Sequence, residues 1–183
     1  PRARRVGDSY VINGSKTFMT LGKTSDLCLV AARTGGEGAK GISLFMIEKD
    51  KAPGFKISKI LEKVGQDGLD TCEVFLDDVS VPAENLIGGE EGRGFGQLMD
   101  VFTRERLSIA VRSVVAAETA VRLTVEHCRQ RKMFGQTLWD FQNTRLKLAE
   151  CATEARMMRV FLDDILLRMS RGEDLSASDA VMA

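Results

Sequence analysis

Phe95-Gly96-Gln97-Leu98-Met99-Asp100-Val101-Phe102-Thr103-Arg104-Glu105-Arg106 is where the periodicity of the chain changes. Up to about Gly88 the apolar residues fall in short runs of strand length. From Phe95 onward they recur at helical spacing: Phe95, Leu98, Met99 and Phe102, then Ala110, Val114, Ala117, Val121, Val125 and Cys128 on one face. The same stretch carries a single carboxylate, Glu105, between two arginines. One long helix later comes Arg131-Lys132-Met133-Phe134-Gly135-Gln136, a basic and aromatic turn, with Gln142 just beyond it.

Upstream, Tyr10-Val11-Ile12, Asn13-Gly14 and Lys16-Thr17-Phe18-Met19-Thr20 read as a hairpin, because Asn-Gly suits the two positive φ angles of a type I′ turn. Leu27–Ala32, Ile42–Ile47, Phe55–Ile60, Cys72–Asp77 and Val79–Pro82 read as further strands. Phe55–Ile60 alternates apolar and polar, the mark of a strand buried on one face. Gly35-Gly36-Glu37-Gly38 is a loop. Short strands with short links predict an antiparallel system rather than βαβ units. Downstream, a second helix is predicted to start near Thr137, with Asp140 as capping-box partner. Its stripe is Leu148, Ala152, Ala155, Leu162, Ile165 and Met169, and Gly172 fits its stop. Two long helices joined by a short link should pack antiparallel. Their apolar stripes are wide enough to serve a core or a subunit interface. The expected class is therefore α+β: an antiparallel β-domain over residues 1–88, then an antiparallel helical bundle, cut short, over residues 89–183. Ser176-Ala177-Ser178-Asp179 looks like a capping box opening another helix, so the chain reads as part of a longer protein.

Composition narrows the function classes. Among 183 residues, Lys+Arg and Asp+Glu number 26 each, so the net charge is zero and a nucleic-acid partner is not expected. Charges interrupt every apolar run, so no membrane span is expected. The four cysteines, Cys28, Cys72, Cys128 and Cys151, lack metal-ligand spacing and read as reduced, buried thiols. One histidine, His127, leaves little for a metal site or a Ser-His relay. Gly88 to Gly96 lacks the Lys-Ser/Thr of a phosphate loop and reads as a glycine-rich helix start. Arg104, Glu105 and Arg106 diverge by about 100° each on a helix. Either Glu105 faces inward and the arginines partly outward, or the reverse; a solvated face and a catalytic carboxylate are both open. Arg131 could bind an anion through its planar fork, or could simply complement a helix C-terminus.

The ordered set of motifs resembles the acyl-CoA dehydrogenase family across essentially the whole chain. Val11–Thr20 resembles its Asn-Gly-x-Lys hairpin, with Phe18, Met19 and Thr20 in the Trp/Phe-Ile-Thr/Ser places. Gly65–Asp78 with Val81-Pro82-Ala83-Glu84-Asn85-Leu86-Ile87-Gly88 resembles the strand and exit that follow. Gly94-Phe95 opens the helix carrying Glu105-Arg106, and Arg131-Lys132-Met133-Phe134-Gly135 with Phe141-Gln142 resembles the Arg-x-x-Phe-Gly…Gln signature. The pattern is nearest to the long-chain and isovaleryl types. The resemblance implies a middle β-domain, a C-terminal helical bundle, FAD and an acyl-CoA substrate. It implies that a carboxylate removes the pro-R proton at Cα, that the Cβ hydride goes to flavin N5, and that trans-2-enoyl-CoA is formed. Electrons would leave to an electron-transfer flavoprotein, and the full enzyme would be a homotetramer, a dimer of dimers. The setting would be fatty acid or amino acid catabolism, in bacterial cytoplasm or mitochondrial matrix.

Residue by residue, the resemblance implies that Phe18, Met19 and Thr20 contact the flavin, with Phe18 where many members have Trp. Arg131 matches the arginine that binds the FAD pyrophosphate, usually of a neighbouring subunit, and Phe134 and Gln142 match its cofactor-side partners. Phe102, Thr103 and Arg106 fall where acyl-CoA is contacted. Glu105 occupies one of the two positions at which the family places its base; the other lies in a C-terminal segment that this sequence does not contain. The N-terminal helical domain, the first part of the β-domain and the last helices of the family pattern are also outside it, so only part of the FAD site is expected here. An acyl-CoA oxidase of the same superfamily and a non-catalytic module on the same scaffold are the alternatives. The joint presence of Phe18, Thr20, Arg131 and Gln142 favours the dehydrogenase.

Overall fold

A computed structural model describes residues 1–173, 175, 178 and 179, in two compact units, Pro1–Met99 and Asp100–Ala183. The first unit is built on six strands: β1 (Arg2–Val6), β2 (Ser9–Thr20), β3 (Leu27–Arg33), β4 (Ile42–Glu48), β5 (Phe55–Ile60) and β6 (Thr71–Pro82). Their order in the sheet is β4-β3-β1-β2-β6-β5. Neighbours run antiparallel, across short links for β1–β2, β3–β4 and β5–β6 and between distant segments for β2–β6, apart from β1 and β3, which meet in parallel at Arg2 and Arg33. One face of the sheet closes over a core that includes Tyr10, Ile12, Val30, Phe45, Ile47, Val74 and Val79. Full burial of each large apolar side chain stabilises the unit by about 1.5–3 kcal/mol. Tyr10 and Phe45 meet ring to ring at 4.8 Å.

Asn13-Gly14 is not a hairpin turn. Ser9–Thr20 is one continuous strand, and the first hairpin turns at Gly7-Asp8, with Gly7 at φ 59°. The arginine-rich segment Arg2–Val6, with Ala3 as its one buried residue, supplies the partner strand. Asn13 is used across the sheet instead: its Nδ2 donates to Asp78 Oδ1 at 2.9 Å, and Asp78 N–H donates to Asn13 Oδ1 at 2.9 Å. The register of β2 against β6 shifts between Ile12 and Gly14, so Gly14 marks a β-bulge. β5 is also not buried on one face. It is an edge strand, and Ile57 and Ile60 are exposed.

The glycine-rich passage is a helix start pinned to the sheet. Ser43, fully buried, accepts the Gly92 N–H at 2.9 Å and shares a hydrogen bond with Thr34 at 2.6 Å. Tyr10 donates to Glu91 at 2.6 Å. At Gly94 a Cβ would lie 2.8 Å from the Ser43 carbonyl carbon, so the close approach demands glycine there.

Helix α1 (Gly94–Gln130) begins at that point and continues through the first part of the second unit. It is followed by the two-residue strands β7 (Lys132–Met133) and β8 (Gln136–Thr137), and by α2 (Gln142–Ser170). The Thr137–Asp140 capping box is formed, but it opens a 3₁₀ turn at Leu138–Asp140, and α2 starts only at Gln142. Leu107, Ala110 and Val114 of α1 share a core with Leu162 and Ile165 of α2, and Arg159 bonds Glu118 through two nitrogens at 3.0 and 2.7 Å. Rising numbers on one helix meet falling numbers on the other, so the pair is antiparallel. Leu107 was absent from the expected stripe, whereas Phe95, Ala152 and Met169, which were in it, are exposed. Gly172, at φ 75°, ends α2 in a Schellman arrangement, with the Glu173 N–H donating to the Arg168 carbonyl at 3.1 Å. Cys28, Cys72 and Cys128 are buried free thiols, but Cys151 is exposed. The expected capping box at Ser176-Ala177-Ser178-Asp179 lies partly outside the described residues. Among the described residues no helix is long and apolar enough to cross a membrane.

Candidate functional site

In the first unit the register of β2 slips a second time, between Lys16 and Met19. Two residues there fall outside the ladder, and Phe18 takes φ 61°. Few bulky residues occupy that left-handed region, so the position is a strained one. The bulge turns the Phe18 ring outward, 75% exposed. It lines an apolar pocket of about 250 Å³ with Lys16, Met19, Leu29, Leu44 and Leu98. That volume is below the roughly 300–1,000 Å³ of a complete ligand site, so the pocket suits one part of a larger ligand. Lys16 is the one charged group in the lining, and burial pushes its ammonium below the ordinary lysine value.

The end of β2 is fixed by Asp70. Its carboxylate accepts the Thr24 hydroxyl at 2.5 Å, the Lys23 and Thr24 N–H groups at 2.8 and 3.2 Å, and the Cys72 thiol at 3.1 Å. These bonds, the Thr24 hydroxyl first, hold it well below the usual carboxylate range. Thr20, exposed, stands beside this knot, opposite Thr71 in the ladder. Phe18 and Thr20 are thus exposed on either side of Met19, which is half-buried against the core of the sheet.

On α1 neither of the alternative orientations at Arg104-Glu105-Arg106 holds, because all three side chains are exposed. The inward residue is Leu107, two positions on and about 200° around the helix from Glu105. Glu105 thus projects from the side of α1 away from the seam with α2. Among the described residues no ion pair or hydrogen bond engages its carboxylate. Phe102 and Thr103, three and two residues before it, are half-buried.

The second cluster sits at the far end of α1. The Arg131 N–H donates to the His127 carbonyl at 2.8 Å, and its own carbonyl accepts the Leu138 N–H at 2.8 Å. Between them Lys132 pairs with Thr137 and Met133 with Gln136. The link is Phe134-Gly135, at φ 51° and 81°, a type I′ turn. Asn-Gly was expected to make such a turn; Phe-Gly makes it. Phe134 is 90% exposed in a conformation that disfavours it. Arg131 and Gln142 are also exposed. The chain thus offers a guanidinium, an aromatic face and an amide in one small region. Glu105 and Gln130 lie about 38 Å apart at a helical rise of about 1.5 Å per residue, so α1 does not bring Glu105 and Arg131 together. Lys16 and Leu98 were not singled out from sequence, since only the bulge and the fold of the first unit put them in one lining.

Residues 1–79 match the family described as acyl-CoA dehydrogenase, middle domain, and residues 92–183 match acyl-CoA dehydrogenase, C-terminal domain. The long-chain specific acyl-CoA dehydrogenase, mitochondrial, of Rattus norvegicus is 41% identical over 184 residues, which are 99% of this chain and 42% of that protein. Cyclohexane-1-carbonyl-CoA dehydrogenase of Geobacter metallireducens is 41% identical over 157 residues, 86% of this chain and 41% of that protein. The crystal structure of acyl-CoA dehydrogenase from Geobacillus kaustophilus matches with a TM-score of 0.93 at 40% identity, covering 99% of this chain and 48% of that one. The chain therefore spans about two fifths of the length of these curated relatives.

Proposed function

The chain belongs to the acyl-CoA dehydrogenase family, and from that premise we propose that it is part of an FAD-dependent enzyme that removes hydrogen from Cα and Cβ of an acyl-CoA thioester to leave the trans-2-enoyl-CoA. The observation that carries this reading is the bulge at Lys16–Met19. It places a strained, outward Phe18 beside an apolar pocket of partial-ligand size. These residues fit one edge of a flavin ring, with Phe18 offering its face and Met19 and Thr20 their backbone edge.

Arg131 meets the pyrophosphate with its planar fork, and Phe134 and Gln142 stand on the same cofactor side. Phe102, Thr103 and Arg106 hold the acyl-CoA. Glu105 receives the Cα proton, a role that its place before Arg106 and its freedom from partners support. A carboxylate takes such a proton once hydrogen bonds polarise the thioester carbonyl and water is excluded. FAD, when bound, supplies the acceptor for the Cβ hydride, and the electrons then leave to an electron-transfer flavoprotein.

The separation of about 38 Å between Glu105 and the end of α1 exceeds the length of an extended FAD molecule. Arg131 of one copy and Glu105 of another would serve one site, so the enzyme works as a homo-oligomer, a dimer of dimers. Mitochondrial matrix or bacterial cytoplasm is the compartment in this reading.

The test is anaerobic flavin bleaching by a panel of acyl-CoAs, with the holoenzyme and its Glu105→Gln variant. The variant is expected to keep FAD and to bleach roughly 10²–10⁴-fold more slowly. Equal bleaching would move the base to another residue, and a protein that never binds flavin would end the enzyme reading.

A further inference from the structure

The β7–β8 ribbon is too small to hold itself. Two strands of two residues each are not stable alone, and its turn contains a phenylalanine at positive φ. What holds it lies at its base. The Thr137 N–H and hydroxyl both donate to Asp140 Oδ2, at 2.8 and 2.7 Å. The Arg129 guanidinium lies over the Trp139 ring, 5.1 Å from its centroid, and ties the last turn of α1 to the far side of the ribbon. Arg131 is closed on both sides by backbone bonds, to His127 and from Leu138.

We propose that Trp139 and Asp140 are positioning residues that hold the Arg131–Thr137 ribbon in its binding shape, so that Arg131 and Phe134 meet the FAD pyrophosphate region without reordering. The proposal rests on the FAD-binding reading above. In this role each side chain acts through the ribbon, Asp140 on Thr137 and Trp139 on Arg129, and not by touching the cofactor. Each lowers the ordering cost that a loose loop would meet on binding. The Thr137 bonds also keep the Asp140 carboxyl below its usual range, so the clamp is an anion at neutral pH. A role confined to starting α2 is the competing account, and it predicts a different pattern of effects.

The experiment is FAD titration of the apoenzyme, followed by flavin fluorescence, with unfolding midpoints measured in parallel. Asp140→Ala, Thr137→Val and Trp139→Ala should each weaken FAD binding roughly fivefold or more, and Thr137→Ser, which keeps the hydroxyl, should bind as wild type does. In an Arg131→Ala background the Asp140→Ala effect should largely vanish, because the clamp acts through the presented arginine. If the two losses simply add, or if the single variants lower the midpoint and leave the FAD affinity unchanged, the clamp is structural only and the proposal is overturned. A wild-type protein that takes up no FAD would overturn the parent function and this proposal with it, an outcome distinct from unchanged affinity in the variants.

Discussion

Phe134 shows how a single residue can give up local stability for exposure. Its ring touches little of its own chain, being 90% exposed, and its φ of 51° lies where a β-branched or aromatic residue is disfavoured. Asparagine tolerates that angle and is preferred in type I′ turns. In the protein without FAD, Phe134→Asn should therefore stabilise the fold by roughly 1 kcal/mol, read as a higher urea midpoint. The same variant should bind FAD more weakly, read by titration. A gain in midpoint with unchanged FAD affinity would remove Phe134 from the cofactor site. Phe18 carries the same signature, a bulky ring held outward at positive φ. Both residues were legible as aromatic neighbours of a motif, but no local rule announced their backbone conformation. It is imposed by the ladder slip in β2 and by the two-residue link of the ribbon.

At the scale of elements, the helix pair depends on few buried contacts. Leu107, Ala110, Val114, Leu162 and Ile165 form its seam, while Leu146, Met157, Val160 and Leu167 of α2 stay exposed. Truncating Ile165, which has no exposed surface, to alanine should cost about 2–5 kcal/mol. The check is chemical unfolding followed by far-UV circular dichroism; a loss under about 1 kcal/mol would mean the seam is loosely packed. The helical period was readable because it persists for many turns, and so was the antiparallel pairing. Asn13-Gly14 misled for the opposite reason. The dipeptide suits a tight turn, yet its asparagine finds both halves of Asp78 across the strand, and a cross-strand partner outweighs local turn preference. The second helix began late for a similar reason: the Thr137–Asp140 box is real, but Phe141 takes an extended conformation after a single 3₁₀ turn.

For the whole molecule, the roles proposed for Glu105 and Arg131, set about 38 Å apart along α1, require a site shared between copies. Mixing Arg131→Ala subunits with Glu105→Gln subunits, each inactive alone, should restore activity, because one of the two sites in a mixed dimer is then intact, about half of the wild-type number. No recovery on co-folding would place both residues in a site of one copy. Sequence alone determined the class of the chain, its α+β order, the helical period and the motif residues Phe18, Glu105, Arg131 and Phe134, because periodicity and short motifs are local properties. Tertiary structure decided what those residues present. Ladder register set the bulge that turns Phe18 outward, side-chain pairing across strands consumed Asn13, and burial of Leu107 sent Glu105 to the opposite side of α1. Each of these is settled by competition among distant partners for the same hydrogen bonds and the same apolar contact, which no window of adjacent residues contains.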